Sequence, residues 1–265
     1  MSGGAYGGNR LNRGPQGSSG PVGYLGNGYD YGSPAGAGGT DGGGTVVAQW
    51  TFEEASGDAI DAVGGISVPA AGTIPRQMIT PQFKLNSSGA GIDGIRFTST
   101  TDHAALAPGT SSFVLESSCI KNCWVESPSE HFLVDTRDGG ATSGMALSIF
   151  YDGTINFYIT ATDGSTATAV WVSAWTTRTL PTDGILKFRI SVNRAVSPAT
   201  AVCVYNGTTL ATKTLTAITT LKSIGSTGVN LGGRYDVNRG LFGILKEVRL
   251  ITGTTTANSG GPGGG

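Results

Sequence analysis

The stretch ILKFRISVN, residues 185–193, decides the fold class of this 265-residue chain. Large apolar residues occupy alternate positions, at Leu186, Phe188, Ile190 and Val192, and polar residues fall between them. Successive side chains of a β-strand point to opposite faces of its sheet, so this period of two predicts a strand with one buried face.

The same period recurs along the chain. In TINFYIT, residues 154–160, the side chains of Ile155, Phe157 and Ile159 share one face. Between such runs stand dipeptides that suit tight antiparallel turns, namely Asp152-Gly153, Asp163-Gly164, Asp183-Gly184 and Asn206-Gly207. No stretch carries a helical period. We therefore predict an all-β fold, an antiparallel sandwich of two sheets.

Composition divides the chain into three parts. Residues 1–44 hold 17 of the 44 glycines and few large aliphatic side chains, so we predict an extended arm without a core of its own. Residues 45–252 are rich in Val, Ile, Leu, Phe and Thr, and about 200 residues suffice for one β domain. Residues 253–265 return to low complexity and are predicted to form a short tail.

Charge and hydropathy argue against two kinds of partner. The formal net charge is −1 and Lys and Arg do not cluster, which argues against nucleic-acid binding. No apolar run approaches the roughly 18 residues that span a bilayer, so we expect no membrane insertion. The opening MSGGAYGGNR lacks the apolar stretch of a signal peptide, and we expect assembly in the cytoplasm.

The three cysteines are predicted to be buried free thiols. Cys119 and Cys123 lie four apart in an apparent strand, which would separate them by roughly 13 Å. A disulfide requires Cα atoms within about 7 Å, so these two are not expected to bridge. A bridge from either of them to Cys203 is the alternative that spacing leaves open.

Five blocks of the sequence, taken in order, resemble a known family. They are TVVAQWTFEEASGDAIDAVGG (residues 45–65), GIRFTSTTDHAALAPGTSSFVLESSCIKNCWVE (94–126), MALSIFYDGTINFYIT (145–160), AVCVYNGTTLATKTL (201–215) and VNLGGRYDVNRGLFGILKEVRLITG (229–253). Their order and spacing are similar to those of laminin-G-like, concanavalin-A-like jelly rolls over residues 45–252. The resemblance implies a jelly-roll sandwich with Trp50 and Trp124 in its core. Uses of that fold include sugar binding, adhesion and scaffolding.

We predict no catalytic residue, no metal site and no cofactor. Glycoside hydrolases of this fold need paired carboxylates on one face, and the sequence has no such acidic run. Two histidines, His103 and His131, are too few for a His-based zinc site. A structural calcium ion stays open as an alternative. Its candidate ligands are aspartates in turn-like stretches, for which turn formation is the alternative role. They are Asp135, Asp138, Asp152, Asp163 and Asp236.

Aromatic side chains are the expected route to sugar binding. Trp171 and Trp175 lie four apart and so share one face of a strand. On an inner face they would pack in the core, and on an outer face they would form a platform for a sugar ring. Arg234, Tyr235 and Asp236 form a second candidate contact, for which an ordinary surface turn is the alternative.

The predicted arm contains a collagen-like spacing. In GPQGSSGPVGYLG, residues 14–26, glycine occupies every third position. So few triplets are not enough to hold a triple helix alone. The two alternatives are an extended arm bound to a partner and, if the protein is a trimer, a short triple-helical stem. We predict that the arm docks on a partner through its aromatic, basic and aliphatic residues. These are Tyr6, Arg10, Leu11, Arg13, Tyr24, Leu25, Tyr29 and Tyr31.

This combination of arm, free thiols and jelly-roll module resembles structural proteins of tailed bacteriophages. The resemblance implies a non-enzymatic virion protein, such as a capsid decoration, head-fibre or tail-fibre component. Its arm would contact other virion proteins, and its domain would face outward and bind host-surface glycans. We expect a homo-oligomer, with a trimer as one form. A free carbohydrate-binding lectin is the second hypothesis, and a polysaccharide-degrading enzyme is the third.

Overall fold

Strands make up almost all of the regular structure in the part of the chain that the computed structural model describes. The described residues are 40–41, 44–52, 54, 57–70, 97–120, 130–137, 143–150, 152–172, 185–234, 240–241 and 244–253. Within these ranges one short 3-10 helix, Ala104–Leu106, is the exception. No helix in them is long and apolar enough to cross a membrane.

The first sheet contains eight strands. In spatial order they are β1 (Thr40–Asp41), β2 (Gly44–Trp50), β16 (Ile244–Thr252), β6 (Phe113–Ile120), β11 (Ile185–Asn193), β12 (Ala199–Tyr205) and β13 (Thr208–Thr209), and β14 (Lys213–Leu215) also pairs with β12. Neighbouring strands pair antiparallel. The sheet therefore begins within the end of the predicted arm, at Thr40.

The second sheet contains six strands, also antiparallel. Their spatial order is β10 (Thr166–Trp171), β9 (Ile155–Thr160), β8 (Gly144–Ile149), β7 (His131–Asp135), β15 (Val229–Leu231) and β5 (Phe97–Ser99). A small hairpin, β3 (Ala59–Ile60) with β4 (Ser67–Val68), completes the strands. Buried Asp61 fastens this hairpin to β2, because its Oδ1 accepts the Gln49 N–H at 2.5 Å.

The core lies between the two large sheets. In β11 the side chains of Leu186, Phe188, Ile190 and Val192 are each at most 2% exposed. The ring centroids of Phe113, on the first sheet, and Phe157, on the second, are 6.3 Å apart. Ile155, Phe157 and Ile159 belong to the same buried cluster. These positions confirm the period-two predictions, and the architecture confirms the predicted all-β antiparallel sandwich.

Trp50 lies in this core at 2% exposure, as the resemblance implied, and Trp124 lies outside the described residues.

The predicted turns connect consecutive strands. Asn206 and Gly207 join β12 to β13 with φ of 44° and 80°, a conformation that Asn and Gly tolerate better than other residues. Asp152-Gly153 joins β8 to β9, and Asp163-Gly164 joins β9 to β10. The fourth dipeptide, Asp183-Gly184, lies outside the described residues.

Two of the three cysteines are described, and both are buried free thiols. Cys119 lies on β6 and Cys203 on β12, with β11 between them. Burial raises the pKa of the Cys203 thiol to about 12. The prediction of buried free thiols is therefore confirmed for this pair, and Cys123 lies outside the described residues.

Candidate functional site

The outward face of the second sheet carries a group of charged, polar and aromatic side chains that we call the outer-face cluster. Its members come from β7, β8 and β9, from the residues that flank β7, and from the loop after β15. They are Glu130, Phe132, Asp135, Arg137, Ser148, Asn156, Tyr158 and Arg234.

A β-bulge in β7 brings part of the cluster onto one face. Phe132 pairs with Ser148 and Asp135 pairs with Ala146, and the register shifts between Phe132 and Val134. Leu133 is the extra residue, and it packs in the core beside Val134. Without the bulge, two residues three apart would point to opposite faces, so the bulge places Phe132 and Asp135 on the same outward side.

Neutral hydrogen-bond donors surround the carboxylate of Glu130. The Tyr158 hydroxyl donates to Glu130 Oε1 at 2.5 Å, Asn156 Nδ2 donates to it at 3.4 Å, and Ser148 Oγ donates as well. Glu130 is 5% exposed. Burial, followed by the hydrogen bond to Glu130, raises the pKa of Tyr158 to about 12. The phenol therefore stays protonated at neutral pH and acts as a donor.

A two-point ion pair between Asp135 and Arg137 forms the second half of the cluster. Arg137 Nε donates to Asp135 Oδ1 at 3.0 Å, and Arg137 Nη2 donates to Oδ2 at 3.2 Å. The Arg137 backbone N–H donates to Oδ1 at 3.0 Å. Asp135 is fully buried, and this burial raises the pKa of its carboxyl although the guanidinium opposes the shift. The pair fixes the Arg137 guanidinium in one orientation.

Two aromatic rings lie beneath the guanidinium groups. The rings of Phe132 and Tyr158 stack with centroids 6.2 Å apart and planes 18° apart. Arg137 Cζ lies 4.8 Å from the Tyr158 centroid, and Arg234 Cζ lies 5.8 Å from the Phe132 centroid. Both distances are in the range of cation–π attraction. Tyr158 and Arg234 are the partly exposed members of the cluster, so they present it to solvent.

One acceptor of the cluster is unused. In the described part of the chain, Asn156 Oδ1 is buried and accepts no hydrogen bond. Buried polar atoms are nearly always paired, so this oxygen marks a position where a further donor fits the site.

The outward face of the first sheet has charged residues of a different arrangement. One oxygen of Glu116 accepts from Arg189 Nη1, and the other accepts from Arg249 at 2.7 Å from Nε and 2.6 Å from Nη2. Glu116 and Arg249 are 7% and 8% exposed. We call this set the ion triad.

The structure corrects one predicted ligand contact. Trp171 is 3% exposed, belongs to the core cluster and donates its indole N–H to the Ala211 carbonyl at 2.7 Å. Of the two interpretations of this residue, core packing is the one observed, so its ring offers no face to a sugar. Arg234 does lie in the outer-face cluster. Trp175, Tyr235, Asp236 and the eight predicted docking residues of the arm lie outside the described residues.

The described aspartates that were candidate calcium ligands have other partners. Asp152 Oδ1 accepts the Thr154 N–H at 2.9 Å, and Asp163 accepts the Ser165 N–H at 3.1 Å while it pairs with Lys222. Asp135 pairs with Arg137. Asp138 and Asp236 lie outside the described residues. Among the described residues, no three His, Cys, Asp or Glu side chains converge as ligands for a metal ion.

Sequence reasoning missed most of the outer-face cluster. The sequence signal that could have found part of the cluster is in TINFYIT, where the polar residues Asn156 and Tyr158 alternate with core residues. The bulge at Leu133 has no comparable signal, because an extra residue in a strand leaves the local apolar pattern unchanged. The convergence of Phe132 and Asp135 therefore required the structure.

Comparison with known proteins identifies the fold. No protein family and no curated protein matches the sequence. The chain is similar to the crystal structure of the botulinum neurotoxin serotype D binding domain, with 14% identity and a TM-score of 0.52 over 78% of this chain and 47% of that one. It is also similar to the receptor binding domain of botulinum neurotoxin D, with 13% identity and a TM-score of 0.52 over 78% and 48%.

A third match is the CBM40 of the Ruminococcus gnavus IT-sialidase bound to α2,3-sialyllactose, with 17% identity and a TM-score of 0.41 over 54% of this chain and 76% of that one. This chain spans about half the length of the two toxin structures. At these identities the toxin matches establish a shared β-sandwich fold.

Proposed function

We propose that this chain is a non-enzymatic carbohydrate-binding protein and that the outer-face cluster is its sugar-binding surface. The observation that carries the proposal is the partly exposed ring of Tyr158 and the partly exposed guanidinium of Arg234 on one outward face that also holds the unused Asn156 Oδ1. Guanidinium and amide groups make paired hydrogen bonds with neighbouring hydroxyls, and aromatic rings pack against the apolar face of a sugar.

The protonation states of the cluster favour binding over catalysis. Tyr158 has a pKa of about 12, and a group that stays protonated throughout the neutral range is poorly matched to general acid–base work. Asp135 is fully buried and held in two-point contact by Arg137. Both residues are therefore suited to hold other groups in position.

The similar folds give the proposal secondary support. The two toxin structures are described as a binding domain and a receptor binding domain, and the sialidase module was solved with a bound oligosaccharide. A binding role for this chain agrees with those descriptions.

A glycan array probed with the full chain tests the proposal. We expect saturable binding to one class of glycan, with dissociation constants for Arg234→Gln and Tyr158→Phe raised about tenfold, the loss of roughly one good hydrogen bond. Lys246→Gln is the matched control, because it removes an exposed cation from a strand of the other sheet. Absence of glycan binding by the unmodified chain, or equal loss in the control, would show that the proposal is wrong.

We propose a virion as the setting for this binding. The support is the sequence of residues 1–44, in which half of the chain's 8 tyrosines and two arginines are spaced along a glycine-rich segment. Deletion of residues 1–39, which leaves β1 and β2 in place, is expected to abolish incorporation into phage particles while glycan binding persists. A truncated chain that assembles normally would show that the arm does not anchor the protein, and a full chain that does not enter particles would favour the free lectin instead.

A further inference from the structure

Strand β10 has an open edge. It lies at the end of the second sheet, and among the described residues β9 is its one hydrogen-bonded neighbour. The pairing with β9 runs without a register shift over the whole strand, Thr166–Trp171. A straight strand of this kind presents a row of free backbone groups on its other side.

The ladder identifies which backbone groups are free. Ala161 N–H donates to the Ser165 carbonyl at 2.8 Å in the turn that precedes β10. Hydrogen-bonded pairs alternate with non-bonded pairs in an antiparallel ladder, so Ala167, Ala169 and Trp171 bond to β9. The N–H and C=O groups of Thr166, Thr168 and Val170 therefore point to the open edge.

The edge lacks the usual protection against pairing. The stretch TATAVWV, residues 166–172, contains no charge, no proline and no glycine. Its outward side chains are exposed, with Val170 at 37% and Val172 at 69%. Sheet proteins ordinarily protect an edge with lysine, proline or a bulge, and β10 has none of these.

We propose that β10 pairs antiparallel with β10 of a second copy of this chain, which gives a two-fold dimer. With Thr168 opposite Thr168 of the second copy, Thr166 faces the second copy's Val170, and about six backbone hydrogen bonds form. Thr–Thr and Thr–Val pairs are favourable across strands, and no like charges meet. The small Ala167 and Ala169 allow close approach on the inner side.

A second copy suits this edge better than an unrelated chain. A neutral strand offers no charge pattern to select a different partner, whereas pairing about a two-fold axis satisfies the same groups on both copies. This inference is independent of the proposed sugar binding, because β10 contributes no residue to the outer-face cluster.

Sedimentation equilibrium of the full chain over a wide concentration range tests the inference. We expect a dimer for the unmodified chain and at least about a tenfold weaker dimer for Thr168→Lys, because two ammonium groups would meet at the two-fold axis. Thr168→Pro should act similarly, since the N–H that it removes does not bond to β9. Thr101→Lys, in an exposed loop after β5 at the opposite end of the second sheet, is the matched control and should leave the dimer unchanged.

Circular dichroism establishes that each variant is folded. A monomeric unmodified chain would overturn the inference. The inference would also be wrong if the unmodified chain formed an oligomer of any size, including a trimer held by the arm, and Thr168→Lys changed neither its mass nor its dissociation constant.

Discussion

The outward faces of the two sheets both hold a nearly buried glutamate, but its surroundings differ. Glu116 of the first sheet lies between two guanidinium groups, so every oxygen meets a full positive charge. Glu130 of the second sheet accepts hydrogen bonds from the neutral groups of Tyr158, Ser148 and Asn156. The first arrangement is held by charge pairing, and the second is held by directional bonds.

This difference separates a structural face from a candidate binding face. In the ion triad, both oxygens of the Glu116 carboxylate accept from guanidinium groups. In the outer-face cluster, the groups around Glu130 are hydroxyls and an amide, which have further hydrogen-bonding capacity, and Asn156 Oδ1 is unused.

Breaking the ion triad is expected to have the largest effect on stability. Glu116→Gln removes the nearly buried carboxylate charge that Arg189 and Arg249 share, and we expect the free energy of unfolding to fall by about 3 kcal/mol. Glu130→Gln should cost less, about 1 kcal/mol, because the donors Tyr158, Ser148 and Asn156 are neutral and the two hydroxyls can rotate to accept. Urea unfolding of both variants measures the contrast.

Glycan binding provides the second readout of the same pair. Glu116→Gln should leave glycan affinity unchanged at a temperature where the variant is folded, and Glu130→Gln should weaken it. Equal stability losses in the two variants would remove the distinction between the two faces.

A smaller effect is expected from the pH dependence of the Asp135–Arg137 pair. The folded-state pKa of Asp135 is raised above its ordinary value of 3.8, so the folded chain holds this proton more tightly than the unfolded chain. The contribution of Asp135 to stability should therefore fall as pH rises from 3.8 through the folded-state pKa, by at most about 1.4 kcal/mol per pH unit.

Urea unfolding of the unmodified chain and of Asp135→Asn between acidic and neutral pH checks this slope. The difference in unfolding free energy between the two should shrink toward neutral pH. A difference that grows with pH would mean that Arg137 outweighs burial at this carboxyl.

The fold was predictable because one physical pattern dominates it. In β11 and β9 the apolar side chains of the core occupy every second position, and Gly-containing dipeptides provide the turns. Burial of an alternating face and the backbone freedom of glycine are local properties that a sequence displays directly.

The candidate site was less predictable because it depends on distant residues. Glu130 and Tyr158 are 28 positions apart, and Arg234 approaches Phe132 from a different part of the chain. Trp171 was a candidate from its local sequence spacing, but that spacing does not tell which face of the sheet the residue is on. Its spacing from Trp175 fits a platform or a core face equally, and only the neighbouring sheet decides between them.

The pairing of β2 with β16 has a consequence for how this domain can be combined with others. Thr40, where the first sheet begins, lies opposite Thr45, and Thr45 lies opposite Thr252, so the described chain enters and leaves this sheet at the same end, two strands apart. A domain with adjacent entry and exit can be inserted into a surface loop of a host protein without separating the two sides of that loop. Such a module can be transferred between proteins as a unit.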